Sequence, residues 1–320
     1  MVSTETRERV LAAARKLGWR PNRLARSLTN GATQNIGVVV PDIVNPFFPP
    51  LIRGAQQEAW KRGFSVILGD SDENPERELH MVSEFVTQVD GLLLMSSRLP
   101  AQQILSLREH CEVVLLNRVV RDLPSVLIDT AAGVREAVRY LAQAGHKAIH
   151  YVSGPEYSWS NRQRLAALKA ECAAVGLSCS IVARGVGAFD HGRACVSSLL
   201  ARRATAVLAY DDITAIGILA GLADQGVRVP EELSVIGCDD IMTASQLGLT
   251  TISAPCEEVG TIASGLLIDR VIEHANRTGR PRRVLRVPSA LVLRNTAGPV
   301  PGNRRVRHSA NDVSGKGGRG

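Results

Sequence analysis

The 320-residue sequence predicts an α/β protein made of two doubly wound parallel-sheet lobes behind a small helical N-terminal segment. Three observations predict it. Between residues 35 and 297, compact apolar runs alternate with stretches of helical period, the order that places helices on both faces of parallel strands. That stretch, of about 260 residues, is too long for one sheet of common size. Acidic residues recur just past the apolar runs, where open parallel sheets bind ligands. A (β/α)8 barrel also suits the length; the number of strands before a midpoint near 146 favours two lobes.

Residues 3–17 read as a helix. Ser3 suits the N-cap, Glu5 the first turn, and Val10, Leu11, Ala14 and Leu17 share one apolar face. Gly18 stops it, and Trp19-Arg20-Pro21-Asn22 signals a turn. Residues 22–29 allow two turns of helix closed by Asn30-Gly31, too short to be stable alone in water and expected to stay disordered until held. Ile36-Gly37-Val38-Val39-Val40, stopped by Pro41-Asp42, is a buried strand. Helices are then expected at 50–62, 75–87, 101–109, 131–144, 160–174, 190–201, 213–225 and 257–275. Strands are expected at 65–69, 91–94, 113–116, 126–129, 148–152, 180–183, 206–209 and 234–237. Residues 298–320, rich in Gly, Ser, Asn and Arg, read as a disordered basic tail.

The net charge is +7, and its placement is uneven. Residues 1–34 carry Arg7, Arg9, Arg15, Lys16, Arg20, Arg23 and Arg26 against Glu5 and Glu8, a net of +5. Residues 299–320 carry Arg304, Arg305, Arg307, Lys316 and Arg319 against Asp312, a net of +4, which leaves −2 for the body. Basic ends on a mildly acidic body point to a polyanion partner, because neutralising phosphates releases counterions; a solvated basic terminus has the same composition. No apolar run is long enough to span a membrane, and no signal-peptide stretch opens the chain, so a cytoplasmic protein is expected. Aromatic residues make up only 4%, so the core must be aliphatic.

No enzyme constellation stands out. Walker, HExxH and GxSxG motifs are absent, and Gly185-Val186-Gly187 lacks the third glycine of a dinucleotide loop, so neither a catalytic residue nor a cofactor is expected. The six cysteines form no CxxC pair and stand at no zinc-ligand spacing with histidines, so no metal is expected and they read as reduced core thiols. His146, after Gly145 at a helix end, suits a role against the helix dipole. Past the strand ends lie Asp42, Asp70, Asp72, Asp129, Asp211, Asp212, Asp239 and Asp240. Carboxylates there can accept paired hydrogen bonds from adjacent hydroxyls of a sugar. Asp also caps helices, and about half of these are expected to do only that, Asp42 and Asp212 first among them. Phe47, Phe48 and Phe189 stand in strand-to-helix loops, where an aromatic can pack on the apolar face of a sugar ring; for Phe47, core packing is an equal reading.

The sequence resembles the LacI/GalR family of transcriptional regulators from about Val2 to about Thr296. The resemblance is carried by Arg20-Pro-Asn-Arg-Leu-Ala-Arg-Ser-Leu28 and Ile36-Gly-Val-Val-Val-Pro-Asp-Ile-Val-Asn-Pro-Phe-Phe48. Asp90-Gly-Leu-Leu-Leu, Gly145-His146, Gly154-Pro155, Arg164-Leu-Ala, Val229-Pro-Glu-Glu-Leu-Ser-Val-Ile-Gly237, Asp239-Asp240 and Leu249-Thr-Thr-Ile252 follow in order. Each motif is short, but the ordered series is specific. The resemblance implies two lobes like those of periplasmic sugar-binding proteins: lobe 1 from about 35–145 plus 256–280, lobe 2 from about 146–255 plus 281–297. It implies a homodimer, no cofactor, and a small effector held in the cleft by Phe48, Asp129, Arg164, Phe189, Asp211 and Asp239; because acidic acceptors outnumber other polar groups among these, carbohydrate is expected rather than purine.

It also implies that residues 1–31 are a partial headpiece and hinge that bind double-stranded operator DNA. Leu28 matches a leucine wedged into a minor-groove step, Asn22 and Ala25 match neighbouring contacts, Arg23 and Arg26 hold phosphates, and Ser3 and Thr6 lie near phosphates. The family's helix-turn-helix is expected before Ser3, where this sequence holds only Met1-Val2. Two further departures are Asp211-Asp212 where the family often has Asn-Asp, and Ala167 where it has Gly. A solute-binding protein of a sugar transporter, a regulator without specific DNA binding, and an enzyme on the same scaffold are the other readings.

Overall fold

The computed structural model describes residues 3–16, 32–185, 188–274 and 283–300. Helix α1 (Thr4–Lys16) follows the expected cap, with the Ser3 hydroxyl accepting from the Thr6 amide at 3.3 Å. The stop at Gly18 and the short helix at 22–29 lie outside the described residues. The described residues fall into two compact units, one up to Ile128 with those of Pro255–Val287, the other Asp129–Ala254 with those from Pro288. Each unit is built on a six-stranded sheet, which excludes the barrel.

In the first unit, β1 (Asn35–Val40), α2 (Phe48–Lys61), β2 (Ser65–Asp70), α3 (Pro75–Phe85), β3 (Gly91–Met95), α4 (Ala101–Ser106), β4 (Glu112–Leu116) and β5 (Ser125–Asp129) alternate. The sheet order is β11-β5-β4-β3-β1-β2, with β11 (Val284–Pro288) supplied by the returning chain. Strand β3 is buried along its whole length, as a parallel strand covered on both faces must be. Asn74 caps α3 by accepting from the Glu76 and Arg77 amides, with Pro75 at the first helical position. The long helix α11 (Cys256–His274) packs on α2 at close range. A Cβ on Gly54 would lie 2.0 Å from the Glu257 carbonyl oxygen, and one on Gly260 2.0 Å from that of Leu51.

The second unit holds α5 (Thr130–Gln143), β6 (Ala148–Ser153), α6 (Trp159–Val175), β7 (Ser178–Arg184), α7 (Phe189–Ala194), α8 (Val196–Ala201), β8 (Ala206–Ala209), α9 (Asp212–Asp224), β9 (Ser234–Asp239), α10 (Met242–Gln246), β10 (Thr250–Ser253) and β12 (Ala290–Val292). Its order is β12-β10-β9-β8-β6-β7, parallel except for the antiparallel β12. Alternate residues of one strand serve opposite faces: Val207 and Ala209 join the core under α9, Ala206 and Leu208 the core under α5 and α6.

Several expectations are corrected. The chain first changes unit at Asp129 and not near 146, because α5 packs on the second sheet, and it returns to that sheet at Pro288 and not near 280, because β11 still belongs to the first. The helix expected at 190–201 is two short helices, where Gly192 lets α7 approach α9 so closely that a Cβ would meet the Thr214 carbonyl oxygen at 2.1 Å. Residues 298–300, expected in the tail, are bonded to the second unit: the Gly298 amide donates to Ser234 Oγ and the Val300 amide to the Ala144 carbonyl; residues 301–320 lie outside the described residues. His146 does not act as a cation on a helix dipole. It is buried, with ring nitrogens 3.0 Å from Thr205 Oγ1 and from the Gly298 carbonyl oxygen, and burial holds its pKa below the ordinary histidine value. All six cysteines are free thiols. Among the described residues no helix is long and apolar enough to cross a membrane.

Candidate functional site

In the second sheet the chain leaves β6 for β7 on one side and returns to β8 on the other, so the switch point lies between β6 and β8. The loop after β6 is built around Asn161. Its Oδ1 accepts from the Tyr151 hydroxyl at 2.9 Å and the Gly154 amide at 3.2 Å, and its Nδ2 donates to the Gly154 and Pro155 carbonyls. Ser158 caps α6 by accepting from the Asn161 amide. Helix α6 is thereby fixed from its first turn, and Arg164 is presented to the ends of β8 and β9.

Arg164 is 5% exposed. Its Nη2 donates to Asp239 Oδ1 at 2.7 Å, its Nη1 donates to the Tyr210 carbonyl, and the guanidinium lies over the Tyr210 ring, 5.1 Å from its centre. Gly154 leaves room for that ring, since a Cβ there would come within 2.4 Å of it. Nε, buried with the rest, has no hydrogen-bond partner. A buried donor left unpaired costs about 1–3 kcal/mol, so the atom is poised for an acceptor.

Asp239 sits in a left-handed conformation at φ +119° and is followed by Asp240 at +56°. The double turn is held at both residues, Asp239 by Arg164 and Asp240 by Arg294 Nη2 at 2.7 Å. Burial pushes the Asp239 carboxyl up to about 8, against the downward pull of Arg164. Asp211 caps α9, its Oδ1 accepting from the Thr214 amide at 2.7 Å, and burial raises its pKa against that bond and the charges of Arg164 and His191. Asp212 is no cap, contrary to expectation. Fully buried, it accepts from the Thr251 hydroxyl at 2.5 Å and the Ile241 amide at 3.0 Å, and burial lifts it to about 6. Perturbed carboxylates beside a desolvated guanidinium at a switch point make this the candidate site.

Residues 138–297 match the periplasmic binding protein-like domain family. The chain is 34% identical over 310 residues to the HTH-type transcriptional repressor CytR of Escherichia coli K12, covering 94% of this chain and 90% of that protein. It is 30% identical to catabolite control protein A of Priestia megaterium over 306 residues, 92% of this chain and 91% of that one. The chain belongs to the LacI family. Solved structures agree. The transcriptional regulator CelR–cellobiose complex matches at TM-score 0.74 and 27% identity over 93% of this chain and 92% of that one. A LacI-family regulator from Enterococcus faecium with bound ribose matches at 0.73 and 28% over 83% and 99%. This LacI-family chain is a transcriptional repressor.

Of the site residues named from sequence, Arg164, Asp211 and Asp239 come together in the second unit of this LacI-family protein. Phe189 opens α7 and is 38% exposed. Asp129 caps α5, accepting from the Ala131 amide at 3.2 Å. Phe48 belongs to the first unit, where it begins α2, buried and edge-on to Phe47. Asp42 and Asp70 serve their own turns, accepting from the Val44 and Asp72 amides. Ser3 and Thr6 are exposed, their hydroxyls 2.9 Å apart; Asn22, Arg23, Ala25, Arg26 and Leu28 lie outside the described residues. Sequence reasoning missed Tyr210 and Asn161. Tyr210 carried a signal, being a rare aromatic at a strand's carboxyl end; Asn161 carried none. Among the described residues no three His, Cys, Asp or Glu side chains are grouped to hold a metal ion.

Proposed function

We propose that the effector is a carbohydrate, that Arg164, Asp211, Asp239 and Phe189 hold it with Asp129, and that it sets the protein's grip on double-stranded operator DNA. The observation that carries this reading is the buried Arg164–Asp239 pair with Nε unspent at the switch point. Sugars bound to related regulators support the ligand class. Ser3 and Thr6 approach phosphates, Arg23 and Arg26 hold them, and Asn22, Ala25 and Leu28 enter the minor groove as a hinge helix that folds on the duplex. The protein works in the cytoplasm as a homodimer. Support for self-association comes from α2 and the edge strand β2, which expose Trp60 (79%) and Leu68. Effector binding draws the two hinge segments apart, the two-turn helix melts for lack of a partner, and DNA is released.

The test is a pair of titrations. Duplexes selected from a random pool serve as operator in fluorescence anisotropy, and ribose and cellobiose are titrated by calorimetry. The reading expects sugar to bind and to weaken the DNA complex. Sugar binding that leaves DNA affinity unchanged would overturn the coupling, and a monomer by sedimentation would overturn the dimer.

A further inference from the structure

The far end of α6, away from Arg164, brings two thiols together. The helix stops at Val175, Gly176 takes the left-handed conformation at φ +73°, and the Leu177 amide donates back to the Cys172 carbonyl at 2.8 Å. The chain therefore turns sharply into the edge strand β7, which carries Cys179 back alongside the helix. Cys172 is 1% exposed in the core under α5 and α6. Cys179, in register with Ile149, is half-buried and packs against that same core. The two side chains meet: burial first, and then the charge and hydrogen bond of the Cys179 thiol, push the Cys172 thiol up to about 12. Access differs between them. Cys179 lines a cavity of about 240 Å³ together with Tyr151, Leu165, Leu168, Lys169 and Ile181, whereas Cys172 lies behind it. The other thiols are placed differently. Cys195 donates to the Gly192 carbonyl at 3.0 Å, Cys238 and Cys256 are buried, and burial with the charges of Glu112 and Asp90 pushes Cys111 up to about 12.

We propose that Cys179 and Cys172 are an oxidisable pair, and that a hydroperoxide entering the cavity closes a disulfide between β7 and α6. The Cys179 sulfur attacks the outer peroxide oxygen, the O–O bond breaks, and the Cys179 proton leaves on the other oxygen as an alcohol or water. Lys169, in the cavity wall, supplies a hydrogen-bond donor to that leaving oxygen. The Cys172 sulfur then attacks the sulfenic sulfur, the S–S bond forms, and the hydroxyl departs with the Cys172 proton as water. Two thiols lose two electrons and the peroxide gains them. Contact between the sulfurs makes the second step fast although Cys172 stays protonated. The closed bond fixes the end of the helix that carries Arg164 to the edge of its sheet.

The test uses the full chain, reduced, freed of reductant and treated with hydrogen peroxide or cumene hydroperoxide while folded. Trypsin cuts after Lys169 and Arg184, so both cysteines fall in one peptide, residues 170–184. Mass spectrometry without reduction should find that peptide lighter by two hydrogens, with dithiothreitol restoring it. The oxidised chain should melt about 5 °C higher, since the short loop is closed in the unfolded state too. Cys172→Ala should stop at a sulfenic acid on Cys179 that dimedone captures, and Cys179→Ser should leave Cys172 reduced at the same dose. The wild-type peptide needs no variant and decides the matter even if a variant folds poorly. The proposal falls if the peptide keeps both thiols open to maleimide after treatment. It falls equally if Cys179 joins a second copy of the chain, or if Cys111 oxidises first.

Discussion

The two sheets have the same winding, yet their carboxyl edges are finished differently. In the first unit the buried and half-buried charges satisfy one another and the loops. Glu78 accepts from the Arg98 amide at 2.7 Å. Arg98 grips Glu73 with two donors at 2.5 and 2.7 Å and reaches the Ser96 carbonyl, and Arg118 donates to the Ser97 and Leu99 carbonyls. In the second unit the corresponding edge leaves Arg164 Nε and His191 Nε2 buried without partners. The winding alone therefore does not make a site. A site arises where the loops leave a desolvated donor for something else to complete.

The largest way to break the comparison is Arg164→Ala. It removes the open donor and strands Asp239 in a dry pocket, so effector binding should vanish in calorimetry and stability should fall by about 3–5 kcal/mol in chemical denaturation. Arg164→Lys, which restores the charge but not the planar fork, should recover stability ahead of affinity. Next come two glycines that do the same packing job in different units. A Cβ on Gly54 would lie 2.0 Å from the Glu257 carbonyl oxygen, and one on Gly217 2.0 Å from that of Phe189. Both alanine variants should lose about 1–3 kcal/mol. Only Gly217→Ala should also weaken the effector, because it displaces α7 and Phe189; equal affinities in the two variants would show that α7 plays no part in binding. Leu28→Ala should weaken operator binding about tenfold with sugar affinity unchanged, and parallel loss of both would sink the assignment of that leucine.

The smallest effect concerns pH. Burial holds His146 below the ordinary histidine value, so its contribution to stability is complete above about 6.5 and drains away as pH falls toward the folded value, the unfolded chain taking up the proton first. Thermal melts from about pH 7 to about pH 5 should fall less steeply in His146→Gln than in the wild type.

Much of this was legible. The strands at 36–40, 91–94 and 206–209 announce themselves as apolar runs because both faces are covered, and Asp211, Asp239 and Arg164 were placed near one another by strand ends and by family resemblance. What escaped did so for physical reasons. Strand β10, Thr-Thr-Ile-Ser, reads as polar, yet its two threonines are fully buried with their hydroxyls bonded to Asp212 and the Arg294 amide. Helix α10 has five residues and β12 three, below the length at which periodicity can speak. The roles of Asp211 and Asp212 are exchanged relative to expectation in one respect, since the helix cap belongs to the first. One residue of offset in a strand-to-helix turn decides which carboxyl meets the helix amides, and local sequence does not fix it.

Asp212 has one more consequence. Its two oxygens tie β10 and the chain just past β9 to the start of α9, next to the cap at Asp211. Three segments that would otherwise drift separately are pinned to a single point, so Asp211 and Asp239 are mounted on one stiff plate. A ligand arriving there loses little affinity to tidying loose loops, and whatever movement it provokes must be passed on by the plate as a whole.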